Sequence, residues 1–449
     1  MRLFIIAVFF IFQLSHGESQ IFPSGSRVCF VGNSITNNGE FHHNILLFHL
    51  TRYPKENVKF FNCGISGDVT AGILNRMEDD ILIHQPTHIV LMIGMNDVRR
   101  SLYGENISTN SDTLEQREKA ILIYKINLEK IIKIFLSKKI QVILQKPTIY
   151  DQTGILPTKN NLGVNDALKV CADFIGDMAN AYHLEVVDYW TIMNRINQQM
   201  QKKDPSSTLT SIDRVHPQSA GHLVMAYQFL KTLKAEQFVS SISLNTKGIV
   251  QSSNNCDLIQ SSRFNNTYSF TIKEKSLPFP IVSQQENALQ LVSFQEDLNQ
   301  QLFKITDLPV GAYKLLIDSI LIGSFSSEDF HLGIDLSYYK LTPQYQQSIA
   351  LRNVLNELWV QESNLRNIKF IEYNNDYLKC VDRISLDALK NCLMPVFESK
   401  NTDYYKNQLN KYLLNKPNEQ KIIEVSNILK VKAFELAQPK IHQFNVVKM

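Results

Sequence analysis

The chain has 449 residues, 44% of them hydrophobic and 20% charged, with 46 lysines and arginines against 43 acids. That length exceeds what one hydrophobic core usually serves, so a main domain with an appended region is expected. The composition is globular, and the near balance of charge excludes nucleic acid as an implied partner.

Residues 1–17 read as a secretory signal, in which Arg2 is the positive start, Leu3 to Leu14 the apolar run, and Ser15, His16 and Gly17 the exit. The run is shorter than the ~20 apolar residues a span needs, and no later segment is apolar enough, so no stable membrane insertion is expected after signal removal. The expected location is secreted or lumenal. Two glycosylation acceptors, Asn106-Ile107-Ser108 and Asn265-Asn266-Thr267, agree with export. Six cysteines do not make a disulfide scaffold in a chain of this size. Cys29 and Cys63 lie in apolar strand-like runs and read as small core residues. Cys380 and Cys392 are close enough in sequence to close a short loop, and connectivity stays open.

From Arg27 to about Leu233, short β-branched or aromatic runs alternate with longer segments of helical period, the mark of a parallel sheet with crossover helices. The strands are Arg27 to Val31, Val58 to Asn62, His88 to Ile93, Ile140 to Gln145 and Leu184 to Tyr189. The helices are Phe41 to Tyr53, Val69 to Ile83, Thr113 to Lys138 and Asn165 to His183, and their apolar stripes are core faces. A last helix, Pro217 to Leu233, is expected to carry its proline in the first turn. Beyond Ala235 come strand-like runs at Tyr268 to Ile272, Leu289 to Phe294 and Tyr313 to Ile317. Tyr345 to Ile371 and about Asp403 to Leu436 look helical.

Four short blocks carry chemistry. Gly32-Asn33-Ser34 follows an apolar strand, and glycine there permits a sharp turn that leaves Ser34 at the start of the next helix. Alone, such a serine is more often a helix N-cap. Gly64-Ile65-Ser66-Gly67-Asp68 is a second strand-to-helix turn, where Gly67 can offer its bare N–H; taken by itself it is an ordinary loop capped by Asp68. Gly94-Met95-Asn96-Asp97 closes the most apolar strand, and the Asn96 amide can donate to an oxyanion. Asp213-Arg214-Val215-His216 places a carboxylate and an imidazole three residues apart on one loop, so that the acid can fix the tautomer of the base.

Taken together and in this order, the four blocks resemble those of the SGNH (GDSL-like) hydrolase family, over about residues 27 to 234. The resemblance implies an α/β, flavodoxin-like three-layer sandwich with a five-stranded parallel sheet. It implies Ser34, Asp213 and His216 as catalytic residues and Ser34, Gly67 and Asn96 as the oxyanion hole, with no metal and no cofactor. Asn33 stands where the family usually has aspartate. An amide keeps most of the hydrogen-bonding capacity without the charge. The expected organisation is a signal at 1–17, the catalytic domain at 24–236, a small β-rich module at 237–340 and a helical C-terminal region at 341–449.

The mechanism implied is two-step acyl transfer. Substrate contacts are expected from Asn33, Asp97, Arg99 and Tyr150, with Arg100, Tyr103 and Asp151 on the same two loops, a polar lining that suits an acylated glycan or other small ester. A lipase or lysophospholipase on the same residues and a silent glycan-binding protein are the competing readings. His42, His43 and His49 lack a carboxylate or cysteine at a metal-binding spacing and read as solvated or capping residues.

Overall fold

The computed structural model describes residues 21–105, 107, 110–400 and 403–449, so the N-terminal signal reading and the acceptor at Asn106 fall outside the described residues. Five strands, β1 (Arg27–Gly32), β2 (Lys59–Gly64), β3 (His88–Met92), β4 (Gln141–Lys146) and β5 (Glu185–Asp188), form one parallel sheet in the order β2-β1-β3-β4-β5. The order reverses between β1 and β3, and that switch opens a crevice at the carboxyl ends of the strands.

Successive strand residues point to opposite faces. Val28, Phe30, Val90 and Met92 enter one core, and Cys29, Val31, Ile89 and Leu91 enter the other. Both faces are covered, which is why these strands read as continuous apolar runs. On the first face lie α2 (Phe41–Arg52), α6 (Tyr189–Gln201) and α7 (Ser219–Thr232); on the second lie α3 (Thr70–Arg76), α4 (Ser111–Ser137) and α5 (Val164–Tyr182). The short α1 (Ser34–Asn38) leaves β1 directly.

The helical span expected from Val69 to Ile83 is α3 followed by a wider turn at Met77–Ile81 and a tight one at Leu82–His84. Pro217 lies outside α7: it pairs with Thr210 in a β-bridge, and Gln218 is the cap. The segment Leu289 to Phe294 is no strand; it crosses from a turn at Ser283–Gln290 into α8 (Phe294–Leu298).

The β module contains β6 (Phe238–Leu244), β7 (Val250–Asn254), β8 (Cys256–Phe264), β9 (Thr267–Glu274), β10 (Gln300–Ile305), β11 (Ala312–Ile317), β12 (Ile320–Ser326) and β13 (Ile334–Asp335), with α9 (Ser327–Leu332) between the last two. Two sheets result, β13-β10-β6-β7 and β12-β11-β14-β9-β8, where β14 is Ile441–Lys448. They share one core, in which the Phe303 ring lies 6.1 Å from Phe270 and 5.0 Å from Phe444. The region after residue 341 is therefore not purely helical, because β14 returns to sit inside the second sheet, antiparallel to both β11 and β9.

Between these strands run α10 (Pro343–Glu372), α11 (Asn375–Lys379), α12 (Leu386–Ser399), α13 (Asp403–Asn415) and α14 (Glu419–Ala437). Leu351, Leu355 and Leu358 of α10 and Leu429 and Ala433 of α14 join the core beneath α2 and α7. A separate cluster packs Ile65, in the turn after β2, against Ile368 and Ile371 of α10, Leu393 of α12 and Leu409 of α13. Cys380 and Cys392 form a disulfide, and Cys29, Cys63, Cys171 and Cys256 are buried thiols. No described helix is long and apolar enough to cross a membrane.

Candidate active site

Ser34 stands at the first turn of α1 because Gly32 lets the chain bend where a Cβ would come within 2.3 Å of Thr36 and 2.5 Å of the Met92 carbonyl. Asn33 is the cap of that helix, its side-chain oxygen accepting from the Ile35 N–H at 3.2 Å. An aspartate there would perform the same task, so the amide departs from the family pattern without loss of the cap.

The structure brings Ser34, His216 and Asp213 into one hydrogen-bonded line. His216 Nε2 is 2.8 Å from Ser34 Oγ, across 182 residues of sequence, and His216 Nδ1 is 2.5 Å from Asp213 Oδ2. The other carboxylate oxygen accepts from Ser211 Oγ at 2.6 Å and from the N–H groups of Val215 and His216 at 2.9 and 3.0 Å. Burial alone would raise the Asp213 pKa; the hydrogen bonds from His216, Ser211 and Val215 outweigh it and hold the carboxyl well below the usual range. Asp213 is thus ionised when His216 needs an anionic partner.

Gly67 is exposed, with a φ of +83° and no atom within 4 Å of where a Cβ would stand. Conformation, not space, requires glycine there. Its loop is tied to the end of β1 by the Ile65 N–H, which donates to the Gly32 carbonyl at 3.1 Å. Asn96 comes to the same loop from β3, its Nδ2 donating to the Asp68 carbonyl at 3.0 Å. An amide nitrogen carries two hydrogens, and the second remains for a ligand.

Three residues expected to touch substrate face inward instead. Asn33, Asp97 and Tyr150 are 2%, 8% and 2% exposed. Asn33 is committed to its cap. Asp97 Oδ1 accepts from the N–H and hydroxyl of Thr70 at 2.8 and 2.7 Å and so caps α3, which has no side-chain cap of its own; burial pushes its pKa up to about 6. The Tyr150 hydroxyl accepts from the Asn161 N–H at 2.8 Å. Asp151 and Tyr103 are interior as well, Asp151 accepting from Gly154 and Gln201 and Tyr103 lying under the Arg117 guanidinium. Arg99 is exposed and Arg100 half-buried, one turn beyond Asn96.

Sequence reasoning missed Arg214, between the acid and the base. It is buried with φ +68°, and its guanidinium donates to the carbonyls of Asp151, Gly154, Leu156 and Thr158, while its own carbonyl accepts from the Asp151 N–H. It staples the loop after β4 to the loop bearing Asp213 and His216. A charged residue flanked by the motif gave no signal of this, since its partners are irregular backbone about sixty residues away.

The histidines of α2 are buried rather than solvated. His43 Nε2 lies 2.7 Å from Glu362 Oε1, and His42 Nε2 lies 3.0 Å from the Thr36 carbonyl. His42, His43 and Glu362 form a group whose ligand atoms lie within 4.8 Å of one another, the spacing a metal ion would use. The short contacts already pair these atoms with each other and with backbone, and the His43 ring is stacked on Trp359 at 4.3 Å.

Residues 30–224 match the GDSL-like Lipase/Acylhydrolase family model. A curated acetylxylan esterase from Geobacillus stearothermophilus is 22% identical over 228 residues, covering 47% of this chain and 96% of that protein. The solved structure of a gut microbial diltiazem-metabolizing enzyme superposes with a TM-score of 0.86 and 28% identity, covering 96% of this chain and all of that one. The β module and the C-terminal helices are therefore shared with that enzyme as well as the α/β sandwich. Residues 30–224 thus carry a GDSL-like lipase/acylhydrolase domain, and this domain together with the acetylxylan esterase relative supports a carboxylic ester hydrolase.

Proposed function

We propose that the protein is a secreted serine esterase that removes short acyl groups, acetyl above all, from carbohydrate, through an acyl-enzyme on Ser34. The observation that carries this reading is the unbroken line Ser34 Oγ, His216 Nε2, His216 Nδ1, Asp213 Oδ2, at 2.8 and 2.5 Å. A hydroxyl within reach of an imidazole that is itself oriented by a carboxylate is an activated nucleophile.

As Ser34 Oγ attacks the ester carbonyl carbon, His216 Nε2 takes its proton and Asp213 steadies the imidazolium. The carbonyl oxygen becomes an oxyanion facing the N–H groups of Ser34 and Gly67 and the free hydrogen of Asn96 Nδ2. When the intermediate collapses, the C–O bond to the alcohol breaks and His216 returns the proton to the departing oxygen. Water then enters, His216 removes its proton, and the acyl group leaves as the acid while Ser34 regains its hydrogen.

A polar alcohol side is supported by Arg99 and Arg100 at the rim beyond Asn96 and by the curated acetylxylan esterase. Export is supported by the sequence of residues 1–17 and by the Cys380–Cys392 disulfide, a bond of oxidising compartments.

A fluorophosphonate probe and a series of acetyl, butyryl and octanoyl esters test the reading together. Labelling is expected at Ser34 and lost in Ser34→Ala, with the largest kcat/KM on acetyl. Turnover by Ser34→Ala above roughly a tenth of wild type would remove the nucleophile assignment. Preference for octanoyl would make the enzyme a lipase, and an unlabelled, inactive wild type would make it a binding protein.

A further inference from the structure

Helix α10 lies outside the matched domain, yet two of its residues reach the strand ends from which the catalytic loops spring. Arg366 is 5% exposed. Its Nε donates to the Gly64 carbonyl at 3.0 Å, and its two terminal nitrogens grip both oxygens of Asp80 at 2.7 and 2.9 Å. Asp80 also accepts from Arg76 at 2.6 Å; Arg76 in turn donates to Asp68 at 2.8 Å and to the Gly32 carbonyl at 3.4 Å. Gly32 precedes Asn33 and Ser34; Gly64 and Asp68 bracket the turn that holds Gly67. One turn earlier on α10, Glu362 accepts from Asn62 Nδ2 at 2.9 Å, and Asn62 donates to the Asn37 carbonyl and accepts from the Gly64 N–H.

A buried chain of two arginines and two aspartates is a poor device for stability alone, because apolar residues of the same volume commonly do as well. What it supplies is direction. Forked guanidinium groups fix the plane of the carbonyls they meet, and here those carbonyls begin the two loops carrying the Ser34 and Gly67 N–H groups. Ile65, two residues before Gly67, is packed among the apolar residues of α10, α12 and α13.

We propose that Arg366, supported by Glu362, is a positioning residue for the oxyanion hole: it holds the Gly64–Asp68 turn so that the Gly67 N–H is aimed before substrate arrives, which makes the appended helix part of the esterase. The proposal rests on the serine-esterase reading above. It places the Arg366 contribution in the transition state, where the oxyanion exists, and not in ground-state binding.

The test uses the full chain and a small acetyl ester. Arg366→Lys keeps the charge and loses the fork. It should lower kcat by about tenfold or more while KM stays within about twofold, because a displaced donor forfeits part of the ~10²–10³ that one oxyanion donor supplies. In an Asn96→Ala background the same substitution should cost clearly less, since both act on one oxyanion. The pair Arg366→Gln with Asp80→Asn, which leaves Arg76 and Asp68 as a balanced pair, should behave like Arg366→Lys. An unchanged kcat, a change confined to KM, or full additivity with Asn96→Ala overturns the proposal. So does failure of both variants to fold, for Arg366 would then serve the whole fold and not the loop. Retained activity in Ser34→Ala would instead sink the serine-esterase reading, so the two failures are separable.

Discussion

The side-chain amide of Asn96 donates to the backbone carbonyl of Asp68 at 3.0 Å, joining the loop after β3 to the loop after β2. In the proposed mechanism Asn96 therefore does two things at once, offering a hydrogen to the oxyanion and fixing the turn that presents Gly67. Asn96→Ala should lower kcat on a small acetyl ester by at least the ~10²–10³ of a single lost donor. Since the residue is half-buried, the melting temperature should move little. A kcat within threefold of wild type would take Asn96 out of the oxyanion hole.

Asp213→Asn tests the other end of the line. An amide in place of the carboxylate can keep the bonds from Ser211, Val215 and His216 N–H on its oxygen, but then turns an N–H donor toward His216 Nδ1. The imidazole is driven to the tautomer that carries its proton on Nε2 and cannot accept one from Ser34. The expected loss in kcat is about 10⁴, with the fold intact. Wild-type turnover in this variant would place the orienting acid elsewhere.

Acid should destabilise the protein well above the pH at which carboxylates titrate. Burial lowers the pKa of His42 to about 3, of His49 to about 4 and of His222 to about 3. In the unfolded chain each titrates near 6.5. Folding keeps them neutral, so their contribution is complete above pH ~6.5 and is lost as pH falls toward the folded values, at up to ~1.4 kcal/mol per pH unit for each proton taken up on unfolding. Asp97, raised to about 6 by burial, works the opposite way and gives back at most one proton's worth as pH falls from 6. Urea midpoints measured from pH 8 to pH 5 should hold down to about 7 and then drop. A midpoint at pH 5 equal to that at pH 8 would show that these imidazoles are not held neutral, and His49→Phe should flatten the slope by one proton.

Truncation at about Gln237 would remove Arg366 and Glu362 together with the apolar partners of α2, α7 and Ile65. With no nucleophile and base motif after about Ala235 in the sequence, such a chain is expected to lose solubility more than it loses chemistry on a small ester. The packing changes that expectation: residual soluble protein should be poorly active, with kcat rather than KM carrying the loss. A soluble truncation with wild-type kcat would show that the sandwich suffices.

The sandwich was legible because its central strands are covered on both faces, so that runs such as Ile89 to Met92 are apolar throughout and end in glycine-bearing turns. The four blocks were legible for a different reason, being short and local. Leu289 to Phe294 misled because a brief apolar run has no period that separates strand from helix. Pro417 splits what read as one helix from Asp403 to Leu436 into α13 and α14. In β14 the alternation of His442, Phe444 and Val446 toward the core was present in the sequence, at the end of a segment read as helical. Asn33, Asp97 and Tyr150 were assigned by proximity to the motifs, and proximity along the chain does not say which way a side chain turns. Glu362 and Arg366 could not be found at all, because their partners lie about three hundred residues away.

The position of β14 also bears on how the protein is made. Among the described strands it is the last in chain order, yet it lies between β11 and β9, giving each of them its second neighbour in the sheet. While the ribosome is still working through α10 to α14, β9 and β11 each carry an open row of backbone N–H and C=O groups and an uncovered apolar face. Such edges recruit other chains. A nascent copy thus spends more than a hundred residues of synthesis with its β module unfinished. Polysomes that bring several copies close together are where misassembly should begin, by exchange of this one strand between neighbours.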